Sequence, residues 1–278
     1  MSDSIDSFNI FNTGCSIRHP IKIAIQAIVQ VCFIFALTHA FAAESEPAAK
    51  PYRPTLSNPA DLSVPGWLEL EFGTQRIKGG EDKWRDSYPV LAKLAFSENW
   101  GVLLGSELAV QRTDISDQVF KGNGDTLFVI KHRIPTATDG SAFGIELGYK
   151  SPTANDTIGS GQPDQILNGI YSTEIAGHDI DLNIGVTHVG GVADGIDANL
   201  YSWAVAAGRN LNEQWGVFGE LSGTGQQGNS ATSQFMAGCT YNLSKRVVLD
   251  AGASAGLTPA SQEWTLFAGV TALLGKVW

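Results

Sequence analysis

From Gly66 to the last residue, apolar side chains recur at every second position, the period of an extended chain whose successive side chains point to opposite faces. Leu68, Leu70 and Phe72 alternate with Glu69, Glu71 and Gly73. Tyr88, Val90, Ala92, Leu94 and Phe96 alternate with Leu91, Lys93 and Ala95, and Trp100, Val102, Leu104, Leu108 and Val110 oppose Gly101, Gly105, Glu107 and Gln111. The same division sets Phe128, Ile130, His132 and Ile134 against Asp125, Lys131 and Arg133, then Phe143, Ile145, Leu147 and Tyr149 against Gly144, Glu146, Gly148 and Lys150. Residues 164–175 alternate without a clear phase. Ile180 to Val186 and Tyr201 to Ala207 restore it, and further segments begin at Trp215, near Ser233, at Val247 and at Trp264. The pattern predicts an all-β chain of about twelve strands, an even number, as single-chain bacterial membrane barrels have.

The links between these segments alternate in length. Short ones are predicted at about 97–99, 135–141, 176–178, 210–214 and 243–246, and longer Gly-, Asp- and Ser-rich ones at about 76–87, 112–123, 151–163, 189–198, 223–230 and 257–262. Short turns at one end, longer loops at the other and both termini at the short-turn end describe an antiparallel transmembrane β-barrel over residues 66–278. A soluble β-sandwich or a lipocalin-like barrel also alternates, but each turns its apolar faces inward, and the lipocalin uses about eight strands. The small and charged second face here suits a narrow wet lumen better. Aromatics near strand ends, Trp100, Tyr149, Trp215 and Trp264 among them, are candidates for the two membrane interfaces.

The segment ahead of the barrel has another character. Arg18 and Lys22 flank an apolar run from Ile23 to Leu37, and Ala40-Phe41-Ala42 has the small-x-small form of a cleavage site, so residues 1–42 are expected to be a signal peptide. A retained membrane helix is the competing reading, disfavoured by Gln26, Gln30, Thr38 and His39 inside the run. Residues 43–65 are rich in Ala, Glu and Pro, a composition expected to form a flexible periplasmic arm. Occlusion of the lumen by this arm or by an inward loop stays open at this stage.

Composition narrows the function. The whole chain carries 18 Lys plus Arg against 28 Asp plus Glu, a net charge of -10. The leader holds two of each sign (Asp3, Asp6, Arg18 and Lys22), so its removal leaves that balance unchanged. Such an acidic excess excludes a phosphate-steered nucleic-acid binder as the leading idea. Of the 3 cysteines only Cys239 follows the leader, which excludes an intramolecular disulfide or a cysteine metal clip in the mature chain.

The stretch from Gly124 to Arg133 (GDTLFVIKHR), followed by Phe143 to Thr153 (FGIELGYKSPT), resembles the outer-membrane barrels grouped as the MetA pathway of phenol degradation family. Gly161-Gln162-Pro163-Asp164, Asn183 to Thr187 and Phe267 to Thr271 extend the similarity. These are strand-and-turn patterns, not catalytic signatures. The resemblance implies an outer-membrane location and uptake of phenolic or other small hydrophobic compounds. One departure stands out: members usually end the last strand directly on an aromatic residue, whereas Leu273-Leu274-Gly275-Lys276-Val277 here precedes Trp278. The terminal aromatic still suits recognition by the barrel-insertion machinery.

In the predicted lumen, Glu107, Asp125, Lys131, Arg133, Glu146 and Lys150 lie on three consecutive strands and can meet across neighbours, which makes them the candidate selectivity residues. Crossed salt bridges filling a small lumen are the plainer account of the same charges. Membrane-barrel hydrolases need a nucleophile beside a histidine. Of the histidines after the leader, His132 and His188 share parity with lipid-facing residues and His178 sits in a short turn. No catalytic residue, metal or cofactor is therefore expected. The Asp194-to-Asn199 loop lacks the spacing of a calcium loop, and the Gly159-Ser160-Gly161 and Gly223-Thr224-Gly225 runs precede no helix that would cradle phosphate. The expected partners are outer-membrane lipid, the insertion machinery and a small solute. A non-transporting structural or adhesive barrel is the alternative, and a lipid-modifying enzyme a more distant one. The oligomeric state is not written in the sequence.

Overall fold

The computed structural model describes residues 46–138 and 140–278, and the signal-peptide reading of residues 1–42 lies outside them. Thirteen strands follow one another: β1 (Trp67–Gly79), β2 (Trp84–Ala95), β3 (Trp100–Thr113), β4 (Val119–Gly122), β5 (Thr126–Pro135), β6 (Ala142–Ser151), β7 (Asp164–Ile175), β8 (His178–His188), β9 (Asn199–Asn210), β10 (Trp215–Gln226), β11 (Thr232–Ser244), β12 (Val247–Gly256) and β13 (Gln262–Lys276). Strands pair antiparallel in chain order, except that β5 pairs with β3 and not with β4, and β1 pairs with β13, so the sheet closes on itself. The short β4 and the longer β5 both pair with β3, on its upper and lower halves, and together form one wall strand interrupted at 123–125. The wall therefore has the expected twelve spanning strands. Closure gives every long strand a partner on both sides, the condition a β-structure must meet to cross lipid, and only the short β4 pairs on one side, with β3. Among the described residues no helix is long and apolar enough to cross a membrane.

Alternation decides which side chains meet lipid. Leu104, Phe128, Ile130, Leu147, Leu167, Ile184 and Leu266 stand on the outside and are exposed, while Glu69, Glu71, Lys93, Lys131, Glu146 and Glu220 are buried within. A protein with its grease outside and its charges inside is the inverse of a soluble domain. Aromatic side chains gather on the outer surface near both rims. Trp215 packs on Tyr241 and Phe143 on Tyr171 at the end carrying the termini, and Trp84 meets Trp264 edge-on at the other.

The structure corrects three expectations. The links at 76–87 and 112–123 are shorter than expected: β1 runs to Gly79 and β2 starts at Trp84, while β4 occupies 119–122. Gly79 and Gly80 both adopt positive φ, which lets the chain reverse tightly where composition alone suggested a long loop. Val110 does not share the outer face of Leu108. The register slips where Ser87 faces Val110 but Pro89 faces Glu107, and this irregularity turns Val110 inward, 2% exposed. A proline fits there because it has no N–H to give to the ladder.

The third correction concerns residues 46–65, expected to be flexible. They are ordered inside the barrel. A proline-rich segment makes no ladder of its own, but it also has fewer N–H groups to satisfy. Acidic, amide and hydroxyl side chains of the lumen wall accept from six of them, Lys50, Tyr52, Arg53, Ser57, Asn58 and Ala60.

Candidate functional site

The arm enters the lumen at the end that carries the termini and the short turns, reverses, and leaves by the same end to begin β1. At its start, Glu46 pairs with Arg246 at 3.3 Å and Ala49 N donates to Lys245 O at 2.8 Å, both in the turn before β12. Deeper in, Tyr52 N and Arg53 N donate to the two oxygens of Glu71 at 2.7 and 3.1 Å. The reversal falls around Leu56. Ser57 N then donates to Glu220 Oε2 at 2.8 Å, Asn58 N to Asn183 Oδ1 at 3.1 Å and Ala60 N to Ser172 Oγ at 2.7 Å. Bonds to charged acceptors contribute about 1.5–3 kcal/mol each, comparable with the roughly 1–2 kcal/mol per residue lost on ordering a backbone.

Charged side chains of the wall form two clusters around this segment. Lys93 stands between Glu69 and Glu71 at 2.6 and 2.5 Å, all three buried, and Lys131 pairs with Glu146 at 3.1 Å. The Tyr52 ring fits against both ammonium groups, 3.9 Å from Lys93 Nζ and 4.1 Å from Lys131 Nζ at its centroid. Leu103 and Val129 complete a small apolar cluster with it, and Leu91 and Leu127 pack alongside. Farther round the wall, Arg53 reaches Asp250 at 3.3 Å. Its guanidinium fills the space that a Cβ on Gly73 or Gly269 would need, which is why the wall is bare at those two positions. At the mouth, Asp61 pairs with Arg133 at 2.8 Å and Lys50 at 3.4 Å. Burial alone would raise the Asp61 carboxyl, but Lys50 and Arg133 outweigh it and hold the group below the usual carboxylate value.

All six candidate lumen residues point inward. Lys131 and Glu146 pair with each other, Lys150 lies 2.8 Å from Asp164 and 3.4 Å from Asp125, and Glu107 is 2.5 Å from Arg85. Arg133 meets the arm, not a neighbouring strand. The six thus belong to separate ion-paired groups and make no single-sign ring. The densest cluster, Glu69, Glu71 and Lys93 with Tyr52, lay outside the candidate set. The signal for it was a pair of acids two apart on β1 facing a lysine on β2, since Glu69 is directly opposite Lys93 in the register. Trp100, Tyr149 and Trp215 are exposed on the outer wall, and Trp264 is partly covered by Trp84.

The arm divides the open space. On the loop side of its reversal lies a cavity of about 380 Å³, floored by Leu56 and Asn58 and walled by Leu127, Glu146, Asn168 and Gln234. On the other side two cavities of about 350 and 400 Å³ open toward the termini, both touching Pro51 and Thr55. The histidines stand away from these spaces: His132 stacks on Trp100 at 4.0 Å on the outer wall, His178 bonds the turn carbonyl of Ala176, and His188 bonds Asn199. Among the described residues no group of His, Cys, Asp and Glu is arranged to hold a metal ion.

Solved structures with the same architecture are porins and channels. The COG4313 outer membrane channel from Pseudomonas putida F1 matches with a TM-score of 0.62 at 11% identity, over 84% of this chain and 99% of its own length. The KdgM porin matches with a TM-score of 0.52 at 9% identity, over 73% of this chain and 98% of its own. The NanC porin matches with a TM-score of 0.51 at 10% identity, over 74% of this chain and 98% of its own. At these identities the likeness establishes the fold, that of an outer-membrane β-barrel. No curated relative matches the chain. The model of one family, described as "Putative MetA-pathway of phenol degradation", matches residues 90–274, two thirds of the sequence, and the chain belongs to that family.

Proposed function

We propose that the protein is a channel of the bacterial outer membrane for small solutes, phenolic or otherwise hydrophobic, in which the arm is the element that must move for a solute to pass. The observation that carries this reading is the arrangement along one lumen: a cavity open on the loop side, cavities open on the side of the termini, and between them a segment held by hydrogen bonds and ion pairs and not by the sheet. The outer-membrane location is supported by the closed wall with its apolar exterior, and export by the leader, cleaved after Ala42. The wall meets lipid, and the aromatic residues near both rims, Trp100, Tyr149, Trp215 and Trp264 included, face its interfaces. The insertion machinery takes the aromatic C-terminus as its signal.

The test is ion conductance of the purified full chain in planar lipid bilayers, together with swelling of liposomes in small neutral solutes. Opening events above an empty-bilayer control, made more frequent by Tyr52→Leu, are expected. Silence in both proteins would oppose the channel. That outcome would favour the second reading, a non-transporting structural barrel, which the filled lumen supports. We infer no enzymatic activity, and the placement of the three histidines away from the lumen supports this. Lipid turnover lost on His132→Ala or His188→Ala would overturn it.

A further inference from the structure

We propose that the lumen wall around Tyr52 is a binding site for a single uncharged aromatic ring bearing an oxygen acceptor, and that the arm fills this site with its own phenol ring until such a solute displaces it. The inference rests on the channel reading and names the ligand class and regulation of that pathway.

Three observations converge. The site belongs to the wall. Lys93, Leu103, Val129 and Lys131 come from β2, β3 and β5, three adjoining wall strands, and both lysines keep their carboxylate partners from the wall as well. Two lysines face three wall carboxylates, so each ammonium keeps a counter-ion whether the arm is present or not. What the arm contributes is a ring, with centroid distances of 3.9 and 4.1 Å to the two ammonium groups, and two oxygens: Lys93 Nζ donates to Lys50 O and Lys131 Nζ to Pro59 O, each at 2.5 Å. A departing arm thus leaves two ammonium groups each short of an acceptor and of an aromatic face.

The chemistry of the vacancy follows. An aromatic ring offers a negative face to a cation, an attraction that desolvation strengthens, and a saturated ring of equal size does not. A hydroxyl or ether oxygen replaces the lost carbonyl, as an unpaired buried donor is costly. An ammonium in place of that oxygen is a donor facing two donors, Lys93 Nζ and Lys131 Nζ, and cannot supply the acceptor they lose. The apolar neighbours Leu91, Leu103, Leu127 and Val129 leave room for one ring.

Access is the third observation. Leu127, Val129 and Glu146 line the outer cavity as well as bordering the ring site, and that cavity is floored by Leu56 and Asn58 of the arm. A solute that enters from the loop side meets the reversal of the arm first and the ring site next. The ligand and Tyr52 then exclude each other by occupying the same space. A ligand can shift this equilibrium only because it binds the arm-out state and has no place in the arm-in state.

The experiment is hydrogen exchange on the full chain in detergent micelles, read at the arm amides of Tyr52, Ser57 and Asn58. Phenol is the probe, with cyclohexanol and benzylamine as controls at equal concentration. Phenol is expected to speed exchange of these amides at least tenfold while wall strands stay protected, and the controls are expected to leave them unchanged. Tyr52→Phe keeps the ring but removes its hydroxyl bond to Asp61 O, so the phenol concentration for half effect should fall several-fold. Since Tyr52 lies in the arm, neither this variant nor Tyr52→Leu disturbs the wall. Equal action of phenol and cyclohexanol would overturn the ring site. So would a phenol-insensitive arm in a protein that conducts ions, an outcome that leaves the channel standing. Absence of conductance even in Tyr52→Leu would instead remove the channel reading on which the proposal rests.

Discussion

Lys93 offers the sharpest test of how the lumen is held. Replacing it by Met keeps the length of the side chain and removes the cation from between Glu69 and Glu71, both with no exposure to solvent. Breaking a buried pair by removing one partner costs about 3–5 kcal/mol, because the remaining charge has neither water nor counter-ion. For a chain of about this size each kcal/mol moves a melting midpoint by roughly 2–4 °C, so Lys93→Met is expected to lower it by roughly 6–20 °C. The assay is the temperature at which the compact barrel converts to the slower unfolded band on an unboiled gel. A companion variant, Lys93→Met with Glu69→Gln and Glu71→Gln, removes the stranded charges and should recover more than half of the loss. If the single variant melts within about 2 °C of the parent, or the triple variant melts as low as the single one, the buried triad is not what ties β1 to β2 from the inside.

Other perturbations act on the arm and the wall separately. Gly73→Leu places a side chain where the Arg53 guanidinium lies, so Arg53 should lose Asp250 and hydrogen exchange at residues 52–54 should rise while the barrel melting temperature stays put. Asp61 is held below the usual carboxylate value, so its contribution to holding the arm is present above that value and is lost as the pH falls through the lowered one. Proteolysis of the arm should accordingly increase in acid below about pH 4, and Asp61→Asn should make it equally susceptible at neutral pH. On the outside, Ile184 is 72% exposed near the middle of β8, and Ile184→Arg should destabilise the barrel in lipid by about 2–4 kcal/mol, measured by urea unfolding in vesicles.

The wall was readable from the chain because membrane barrels separate their two solvents by parity, and most strands here keep that parity from end to end. In one stretch it failed partly because of the arm. Residues 164–175 had no clear phase because Ile166 and Ile170 face inward with Asn168 and Ser172, and Ile170 does so to pack on Ala60 of the arm. Leu103 and Val129 are apolar on the wet face for a parallel reason, their contact being Tyr52. Apolar residues on the lumen side of a charged wall were thus the trace of an occupant. The arm itself was hidden by its composition: Pro47, Pro51, Pro54, Pro59 and Pro65 argue against self-folding, and the argument is sound until a wall supplies the partners. Local alternation also cannot register a slip such as the one at Val110, which depends on the facing strand. The six charges chosen for the lumen were found by parity alone. Parity fixes the side of the wall a residue faces, and it does not fix which partner neutralises it, as Arg133 shows by pairing with Asp61.

The path of the arm has a topological consequence. It goes in as a doubled loop whose two limbs share one mouth, with Ala49 tied near Lys245 on one limb and Gly66 bonded to Val277 on the other. Among the described residues neither limb leaves by the far mouth, so this segment is not threaded through the ring of strands. The seam between the first and last strands can therefore close before the loop is seated, and the loop can be drawn out again without unzipping any strand. Assembly of the wall and filling of its interior are separable events, and the second can be repeated many times in the life of a molecule that completes the first only once.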